Sequence, residues 1–378
     1  MRNDNANFLI IASYADSLVD FRGELIKDLV RRGCDVHVAV PGVSDKEALF
    51  SRLNQWGVKV HSFPLSRTGL NPAKDIVSFF YLLYLIFKIR PSTVLAYTIK
   101  PVVYGVLAAA VAGVRYRYAL ITGLGYAFTD ESGAGRKKIR NLIKGLYAVA
   151  LSRVTKVFFQ NPDDQNLFEN LGILKPSTKS CVVNGSGIDV SEYQFSPAKG
   201  GMIFLLIARL LGDKGVREYA RAAAAVKVLY PEAKFLLVGW IDENPDAIDR
   251  KELEAWIDSG AIEYLGRLDD VRPVIAESSV YVLPSYREGT PRTVLEAMSI
   301  GRAIITTDAP GCRETVVDGK NGYLVPVKDS EALADAMIKF IKNPSDIEEM
   351  GVASRYLAEN KYDVREVNRV MLSEMGIS

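Results

Sequence analysis

Short apolar runs alternate with helical stretches along the whole 378-residue chain, and this alternation constrains the fold more than any other feature. The first series of strand-like runs lies at residues 7–12, 34–40, 58–63, 93–97, 118–122, 156–160 and 180–184. The second series lies at 202–208, 233–239, 262–266, 280–284, 303–307 and 322–326. Several runs are continuously apolar, as parallel strands covered on both faces are. The pattern therefore predicts parallel sheets with helices on both faces.

Two such series imply two doubly wound α/β domains, because each is long enough for its own core. Gly, Ser and Pro cluster in residues 184–201, which is typical of a connecting segment. We therefore predict an N-terminal domain of residues 1–190 and a C-terminal domain of residues 191–378, whose last helix could pack back on the first domain. Ligands of open parallel sheets bind beyond the carboxyl ends of the strands, so the site is expected in a cleft between the domains.

The segment after the first run is expected to form one helix from Ser17 to Gly33. Ser17 and Asp20 form a capping-box pattern, and Gly33 occupies the position of a C-terminal cap. Between the two ends, apolar residues recur every four positions at Phe21, Leu25 and Leu29.

Two longer apolar stretches, residues 79–87 and 102–114, fall short of the roughly 18 to 20 residues that a membrane-spanning helix requires. The second predicts a buried helix. The first, beside Lys88 and Arg90, fits either a core helix or a helix that lies in a lipid interface.

Charge is divided unevenly along the chain. Residues 1–195 carry 24 Lys and Arg against 16 Asp and Glu, a net charge of +8, whereas the remainder carries 23 against 29, a net charge of −6. A basic half indicates an anionic partner such as nucleic acid or a membrane, unless the charge fell unevenly by chance. The basic run Arg136, Lys137, Lys138 and Arg140 fits a solvated helix face, a contact with lipid headgroups, or a contact with an acceptor's diphosphate.

Cysteine usage favours a reducing compartment. Cys34, Cys181 and Cys312 lie far apart and have neither the pairing of a disulfide framework nor the spacing of a zinc site. The N-terminal residues lack a long apolar core followed by small residues, so a secretion signal is not expected. We therefore expect a cytoplasmic protein.

Arg209 and Lys214 follow the run 202–208 on a glycine-containing turn that leads into a helix. Two cations five residues apart on a strand-to-helix loop can converge on one anion, and the helix dipole assists them. A diphosphate is the natural ligand for such a pair, although a solvated surface pair is the alternative.

Two glutamates lie in the stretch YREGTPRTVLEA at residues 286–297. Glu288 is expected on the loop that leaves a strand, and Glu296 in the first two turns of the following helix. A carboxylate at such a place accepts hydrogen bonds from vicinal hydroxyls such as those of a ribose. The backbone N–H groups of Thr290, Arg292 and Thr293 offer an anion a docking point.

Taken together, ARLLGDKG, YREGTPRTVLEA and DAPGCRETVVDGKNGYLV resemble glycosyltransferase family 4, whose members are retaining enzymes of the GT-B fold. These motifs cover roughly residues 200–330. SRTGLNP, TIKPVVYG, YALITGLGYAF, GWIDENP, SGAIEYLG and LPSYREGTP extend the resemblance over nearly the whole chain, towards bacterial N-acetylgalactosaminyltransferases that act on undecaprenyl diphosphate-linked sugars. The resemblance implies two Rossmann-like domains facing across a cleft, with the acceptor and membrane on the N-terminal domain and the nucleotide sugar on the C-terminal one.

The resemblance also implies roles for individual residues. Arg209 and Lys214 would hold the donor's diphosphate as UDP leaves, and with Glu288 beside the transferred sugar they form the catalytic set. Glu296 would hold the ribose. The other implied donor-binding residues are Gly266 and Arg267 near the base, and Gly289, Thr290, Arg292 and Thr293 on the donor loop. The acceptor-binding candidates are Arg22, Lys100, Gly123 and Gly125.

The expected function is retaining transfer of a sugar, an N-acetylhexosamine such as GalNAc, from a UDP-sugar to an undecaprenyl diphosphate-linked sugar in surface polysaccharide or glycan assembly. The protein would sit peripherally on the inner face of the cytoplasmic membrane. No cofactor or metal is expected, because the sequence contains no Asp-x-Asp pair and cations with helix dipoles can offset the phosphate charge. A nucleotide-sugar epimerase of the same fold is the alternative. A non-catalytic nucleotide or nucleic-acid binder would not explain the Arg/Lys loop, so no nucleic acid is expected.

The sequence departs from the family pattern at three places. The loop ASYADSLVDF has no glycine pair, and the loop ITGLGYAF has no histidine, since the chain's two histidines are His37 and His61 within expected strands. Pro291 removes one N–H group from the donor loop.

Overall fold

Every expected strand is present in the described part of the chain, with ends that differ from the prediction by at most two residues. The structure is a computed structural model that describes residues 7–42, 47–66, 71–123, 134–242, 244 and 246–377, the side chains of 134–140 excepted. The strands are β1 (Asn7–Ile11), β2 (Asp35–Val40), β3 (Lys59–Ser62), β4 (Thr93–Tyr97), β5 (Tyr116–Ile121), β6 (Lys156–Phe159), β7 (Ser180–Val182), β8 (Ile203–Ile207), β9 (Lys234–Val238), β10 (Glu263–Gly266), β11 (Val280–Leu283), β12 (Ala303–Thr307) and β13 (Gly322–Val325).

Helices connect almost all of these strands, as crossovers between parallel strands require. They are α1 (Asp16–Asp20), α2 (Gly23–Arg31), α3 (Glu47–Gln55), α4 (Pro72–Ile89), α5 (Val106–Val111), α6 (Ala134–Leu151), α7 (Pro162–Asn170), α8 (Val216–Leu229), α9 (Arg250–Asp258), α10 (Arg272–Glu277), α11 (Arg292–Ile300), α12 (Ser330–Lys342), α13 (Ser345–Lys361) and α14 (Val364–Glu374). A wide helical turn at Pro101–Gly105 leads into α5, so the predicted buried helix at 102–114 is confirmed.

The strands form two all-parallel sheets with the orders β3-β2-β1-β4-β5-β6-β7 and β10-β9-β8-β11-β12-β13. In each sheet the winding direction reverses at one place, between β1 and β4 in the first and between β8 and β11 in the second. Loops that leave neighbouring strands diverge at such a switch point, which makes it the usual ligand site of this architecture. The loops after β1, β4, β8 and β11 are therefore the ones that position a site.

The two sheets belong to different units of the chain. One unit consists of Met1–Ser186 with Arg365–Ser378, and the other of Gly187–Val364. The C-terminal residues join the first unit through α14, where Met371, Leu372 and Met375 lie in a core with β1 and β2. The Tyr118 hydroxyl donates to the Met375 carbonyl at 3.1 Å.

Both faces of each sheet are covered, which explains the continuously apolar strands. In β1, Leu9 and Ile11 pack into one core and Phe8 and Ile10 into the core on the opposite face. Successive side chains of a strand point to opposite faces, so a strand covered on both sides needs apolar residues at every position.

The expectation of one helix from Ser17 to Gly33 is wrong. The segment forms α1 and α2, and Ser17 lies inside α1 instead of capping it. The Ser17 hydroxyl donates to the Tyr14 carbonyl at 2.5 Å and lies 2.8 Å from the Tyr97 hydroxyl at the end of β4. This contact with a distant strand outweighs the local capping pattern. Gly33 ends the segment with a positive φ of 77°, as expected of a C-terminal glycine.

Arg302, directly before β12, is fully buried and bonded to backbone carbonyls. Its Nε donates to the Ile275 carbonyl at 2.8 Å, and its Nη2 donates to the carbonyls of Ser196 at 2.8 Å and Ala276 at 3.2 Å. Burial lowers the pKa of Arg302 to about 10, so the guanidinium remains charged at neutral pH. The side chain thereby ties three separate segments of the second unit together.

We expect Arg302→Met to lower the free energy of unfolding by about 2 kcal/mol, because the buried carbonyls lose their donors while the apolar volume is largely retained. Arg221→Met is the matched control, since the Arg221 side chain is 61% exposed on α8. That variant should stay within about 0.5 kcal/mol of the parent in urea unfolding. Equal effects at the two sites would contradict the assigned role of Arg302.

Candidate functional site

The loops that follow β8 and β11 are in direct contact at the switch point of the second sheet. The Tyr286 N–H donates to the Asp213 carbonyl at 2.8 Å. Gly215 has a φ of +70°, and a Cβ at this position would lie 2.1 Å from the Pro284 carbonyl oxygen. Only glycine allows this approach, which brings the Arg/Lys loop against the loop that carries Glu288.

Lys214 and Glu288 form an ion pair where these loops meet. The Lys214 Nζ lies 2.6 Å from the Glu288 Oε1, and their side chains are only 13% and 18% exposed. The Ser285 hydroxyl donates to the same oxygen at 2.8 Å. Burial alone would lower the pKa of Lys214, but the carboxylates of Glu288 and Asp213 outweigh it and raise that pKa above its usual value. Lys214 is therefore a fixed positive charge held beside a carboxylate.

Arg209 is held by a carboxylate on the neighbouring loop after β9. Its Nη1 lies 2.9 Å from the Asp242 Oδ2, and the two side chains are partly exposed. The same loop holds the Arg/Lys turn through Asp246, whose carboxylate accepts the Asp213 N–H at 2.8 Å and whose carbonyl accepts the Gly212 N–H at 2.9 Å. Asp242 and Asp246 had no predicted role, although the motif GWIDENP follows a strand adjacent to β8.

A third loop, after β12, holds Glu288 in place. The Glu288 N–H donates to the Pro310 carbonyl at 2.9 Å. Gly311 has a φ of +81°, and a Cβ there would lie 2.2 Å from the Glu288 carbonyl oxygen. The motif DAPGC therefore holds the loop after β11 in place, a role that became visible only once β11 and β12 were known to be neighbours.

The helix α11 begins directly after this loop, with Arg292 as its first residue and Pro291 as its cap. The N–H groups at the start of a helix have no acceptor within the helix, so the N–H that Pro291 lacks costs α11 nothing. Thr290 and Thr293 are half-buried on either side of this start, and Gly289 is buried. The predicted donor residues 289–293 thus surround a helix N-terminus that follows β11.

Glu296 is buried in α11 and already has polar partners. Its Oε1 accepts hydrogen bonds from the Tyr193 hydroxyl and from the Arg292 Nε, both at 2.9 Å. Burial and the adjacent Glu296 raise the pKa of Tyr193, which keeps its hydroxyl a donor. Tyr193 could not be predicted as a partner of Glu296 from the sequence, because the two residues lie 103 positions apart in the chain.

Gly266 and Arg267 lie at the end of β10, on the same sheet edge. Gly266 adopts a φ of +70°, and its carbonyl accepts the Gly239 N–H at 2.9 Å. The Arg267 guanidinium carbon lies 4.9 Å from the centre of the Trp240 ring, a cation–π distance. Trp240, which follows β9 and is 41% exposed, had no predicted role.

Three acceptor candidates, Arg22, Lys100 and Gly123, lie in the first unit, near the carboxyl ends of β1, β4 and β5. Arg22 is buried, with its guanidinium carbon 5.6 Å from the centre of the Tyr97 ring. The Lys100 Nζ lies 2.8 Å from the Asp75 Oδ1 on α4, and both side chains are largely buried. Gly123 follows β5 with a φ of +114°. Gly125 lies outside the described residues, as do the side chains of the basic run at 136–140.

The two histidines are packed against each other and lie in β2 and β3, as predicted. Their rings stack with centres 5.1 Å apart, and the His37 Nδ1 lies 2.9 Å from the His61 Nε2. Burial lowers the pKa of both rings, that of His61 to about 4. This is a structural pair at one edge of the first sheet.

Two family profiles match the chain, one in each unit. A profile described as "Glycosyl transferase 4-like" matches residues 11–161, and one described as "Glycosyl transferases group 1" matches residues 201–343. Within the described residues, no group of three or more His, Cys, Asp or Glu side chains is placed so that it could hold a metal ion.

Named relatives share similarity over most of the chain. The N,N'-diacetylbacillosaminyl-diphospho-undecaprenol alpha-1,3-N-acetylgalactosaminyltransferase of Campylobacter jejuni is 32% identical over 84% of this chain and 85% of its own length. The UDP-Gal:alpha-D-GlcNAc-diphosphoundecaprenol alpha-1,3-galactosyltransferase of Escherichia coli is 24% identical over 75% of this chain and 74% of its own. Among solved structures, HepE of Anabaena in complex with UDP superposes with a TM-score of 0.77 at 18% identity, covering 98% of this chain and 99% of HepE.

Proposed function

Since the chain belongs to the group 1, family 4-like glycosyltransferases and has their GT-B fold, we propose that it transfers a sugar from a UDP-sugar to an undecaprenyl diphosphate-linked sugar with retention of configuration. The observation that carries this proposal is the pair of cations at the switch point of the second sheet. Arg209 and Lys214 lie on the loop after β8, each beside a carboxylate that an incoming diphosphate can replace as partner.

In this proposal the donor's diphosphate binds between Arg209, Lys214 and the N-terminus of α11. Two charged side chains and a helix N-terminus are a recurrent arrangement for phosphate groups. The ribose hydroxyls bond to Glu296, whose Oε1 is fixed by Tyr193 and Arg292 so that the other oxygen is oriented. The base lies against the main chain of Gly266 and Arg267, beside the flat ring of Trp240.

The chemical step needs charge stabilisation on both sides of the bond that breaks. The bond between the anomeric carbon and the diphosphate oxygen breaks, and the acceptor hydroxyl oxygen forms the new bond to that carbon. The hydroxyl proton passes to the departing phosphate. Arg209 and Lys214 offset the negative charge on the leaving UDP, while Glu288 stabilises the positive charge that develops at the anomeric carbon.

Retention and the choice of sugars are supported by the names of the two relatives. Both names specify an alpha-1,3 linkage in the product. Transfer from a UDP-sugar whose anomeric carbon is also alpha therefore keeps the configuration at that carbon. One is named for N-acetylgalactosamine, which favours GalNAc as the donor sugar here. Both are also named for acceptors linked to diphospho-undecaprenol, the acceptor class that we propose for this chain.

The acceptor would meet the basic first unit. Arg22, Lys100, Gly123 and Gly125 are the candidates for its diphosphate and first sugar, and peripheral attachment to the cytoplasmic face of the inner membrane would bring the lipid to them. Among the helices of the described residues, none is both long enough and apolar enough to cross a bilayer. In this proposal, association depends on surface charge and on exposed apolar groups.

A panel of UDP-sugars offered with undecaprenyl diphosphate-linked saccharides, with products read by mass spectrometry, tests the proposed function. One donor and one acceptor should give a product heavier by one sugar, together with free UDP. Release of UDP, or conversion of the donor's sugar, without any acceptor would favour the epimerase and overturn the transferase assignment.

We expect chelation to leave turnover unchanged. The reason is that Arg209 and Lys214 supply the positive charge that a metal would otherwise bring to the leaving phosphate, and the chain has no Asp-x-Asp pair. Initial rates should be equal within about twofold with excess EDTA and with added Mg²⁺ or Mn²⁺, since no step then uses the ion. Loss of activity in EDTA that only a divalent metal restores would show that the mechanism is metal-assisted.

A further inference from the structure

Helix α4 has one buried face and one exposed face, and both are apolar. The buried face packs into the core of the first unit through Leu82, Leu85, Ile86 and Ile89. The exposed face, called here the α4 outer face, consists of Ile76, Val77, Phe80, Tyr81, Tyr84 and Phe87, which are 40% to 62% exposed. These residues recur at helical spacing over three turns and form one stripe. Single exposed apolar residues are common, but a contiguous stripe of this size marks a surface that contacts something apolar.

Among the described residues, the exposed charged side chains at the two ends of this stripe are positive. Lys74 precedes it, Lys88 and Arg90 follow it, and all three are exposed. The one acidic residue of α4, Asp75, is turned inward to Lys100. An apolar stripe flanked by cations fits a partner that has an apolar interior and anionic groups at its surface.

The residue types favour a lipid interface over a protein partner. Phe80 and Phe87 can enter the acyl region, while Tyr81 and Tyr84 carry hydroxyls that remain at the headgroup level. Lys and Arg at the two ends can reach anionic phosphates beside them. We propose that the α4 outer face is a membrane-docking surface that lies in the interface of an anionic lipid bilayer.

This docking would also fix the height of the acceptor site, a point that rests on the proposed function. Asp75 faces inward from α4 to Lys100, three residues beyond β4, while Ile76 and Val77 on the next two positions face outward. An α-helix with its side chains is only about 10–12 Å thick. A docked α4 therefore keeps Lys100 within about one helix diameter of the bilayer surface, where the diphosphate of a membrane lipid lies.

Flotation with vesicles of phosphatidylcholine containing phosphatidylglycerol tests the surface directly. The triple variant Phe80→Ser, Tyr84→Ser, Phe87→Ser should bind at least about 100-fold more weakly than the parent, because each large apolar side chain contributes roughly tenfold or more when buried. The matched control Val352→Ser, Tyr356→Ser changes α13 residues that are 53% and 62% exposed in the other unit. It should bind as the parent does, and both variants should melt within a few degrees of the parent.

Two of the results that would overturn the proposal concern the apolar face itself. One is vesicle binding by the triple variant equal to that of the control. The other is a change of oligomeric state, in which the parent sediments as a dimer and the triple variant as a monomer while vesicle binding is unchanged. That result would show that a second copy of this chain covers the α4 outer face. If part of the parent's vesicle binding resists high salt, and only the triple variant loses that part, the result supports the apolar contact. Binding that high salt abolishes in all variants would assign it to charge alone and also overturn the proposal.

Turnover separates this surface from the active site. With a short-chain, water-soluble diphosphate-linked acceptor, the triple variant should keep the parent's rate within about threefold, because no changed residue contacts substrate. With the long-chain acceptor in vesicles its rate should fall at least about tenfold. Loss of activity with both acceptors contradicts the docking role. Inactivity of the parent itself with every acceptor would contradict the proposed function and leave the vesicle-binding result standing.

Discussion

Arg209→Ala is expected to lower turnover by about 10² to 10³, the usual scale for removing one preorganised group that stabilises charge in the transition state. Arg209 lies on a loop and is partly exposed beside Asp242, so the fold should survive its removal. Steady-state kinetics with saturating donor and acceptor measures the effect, with a melting curve as the check on folding.

Lys214 is expected to show a loss of similar size, but its burial requires a different design. Lys214→Ala leaves the Glu288 carboxylate in a mostly covered place without its cation, which costs stability as well as activity. Lys214→Met alone and combined with Glu288→Gln separates the two effects, since the double variant removes both charges of the ion pair. If the double variant regains stability while its turnover lies well below that of Glu288→Gln alone, the further loss belongs to the part that Lys214 plays in the chemistry.

Asp242→Asn is the control for Arg209. It weakens the ion pair that holds Arg209 but keeps the cation itself, so turnover should stay within about tenfold of the parent. A normal rate in both Arg209→Ala and the Lys214 variants would remove the diphosphate assignment. A loss in Asp242→Asn as large as that in Arg209→Ala would mean that the ion pair, not the free cation, is what the reaction needs.

The strands could be predicted because each is a short apolar run whose burial follows from its own residues. Leu205 and Leu206 in β8, for example, are both fully buried although they face opposite sides of the sheet, and the sequence shows this as an unbroken run. The position of the Arg/Lys loop and of the glutamates followed directly, because a loop after a parallel strand must lie at the carboxyl edge of the sheet.

The partners of the site residues could not be predicted in the same way. Asp242 lies 33 residues from Arg209, and Tyr193 lies 103 residues from Glu296, so no local pattern joins them. Such pairs depend on which strands are neighbours in the sheet, and the order β9-β8-β11 is a property of the whole unit. The break between α1 and α2 has the same origin, because Ser17 and Arg22 both pack against Tyr97 from a different strand.

Glu288→Gln and Glu296→Gln are expected to change different kinetic constants. Glu288 would lie beside the anomeric carbon, where positive charge develops only as UDP departs, so its loss should mainly lower kcat, by roughly 10² or more. The amide also weakens the contact with Lys214, which acts in the same direction. Glu296 would bind the ribose equally before and during transfer, so its loss should mainly raise the donor KM and leave kcat within about tenfold.

A bracing role for both glutamates is the competing explanation, because Glu288 is held by Ser285 and Lys214 and Glu296 by Tyr193 and Arg292. In that case both variants would lose thermal stability together, and the kinetic losses would follow the folded fraction. Tyr193→Phe separates the explanations at Glu296, since it removes one hydrogen bond but keeps the carboxylate for the ribose. It should destabilise the fold by about 1 kcal/mol and raise the donor KM less than Glu296→Gln does. A mainly kcat defect at Glu296 together with a mainly KM defect at Glu288 would reverse the two assignments, because only the residue beside the reacting carbon can act on the transition state alone.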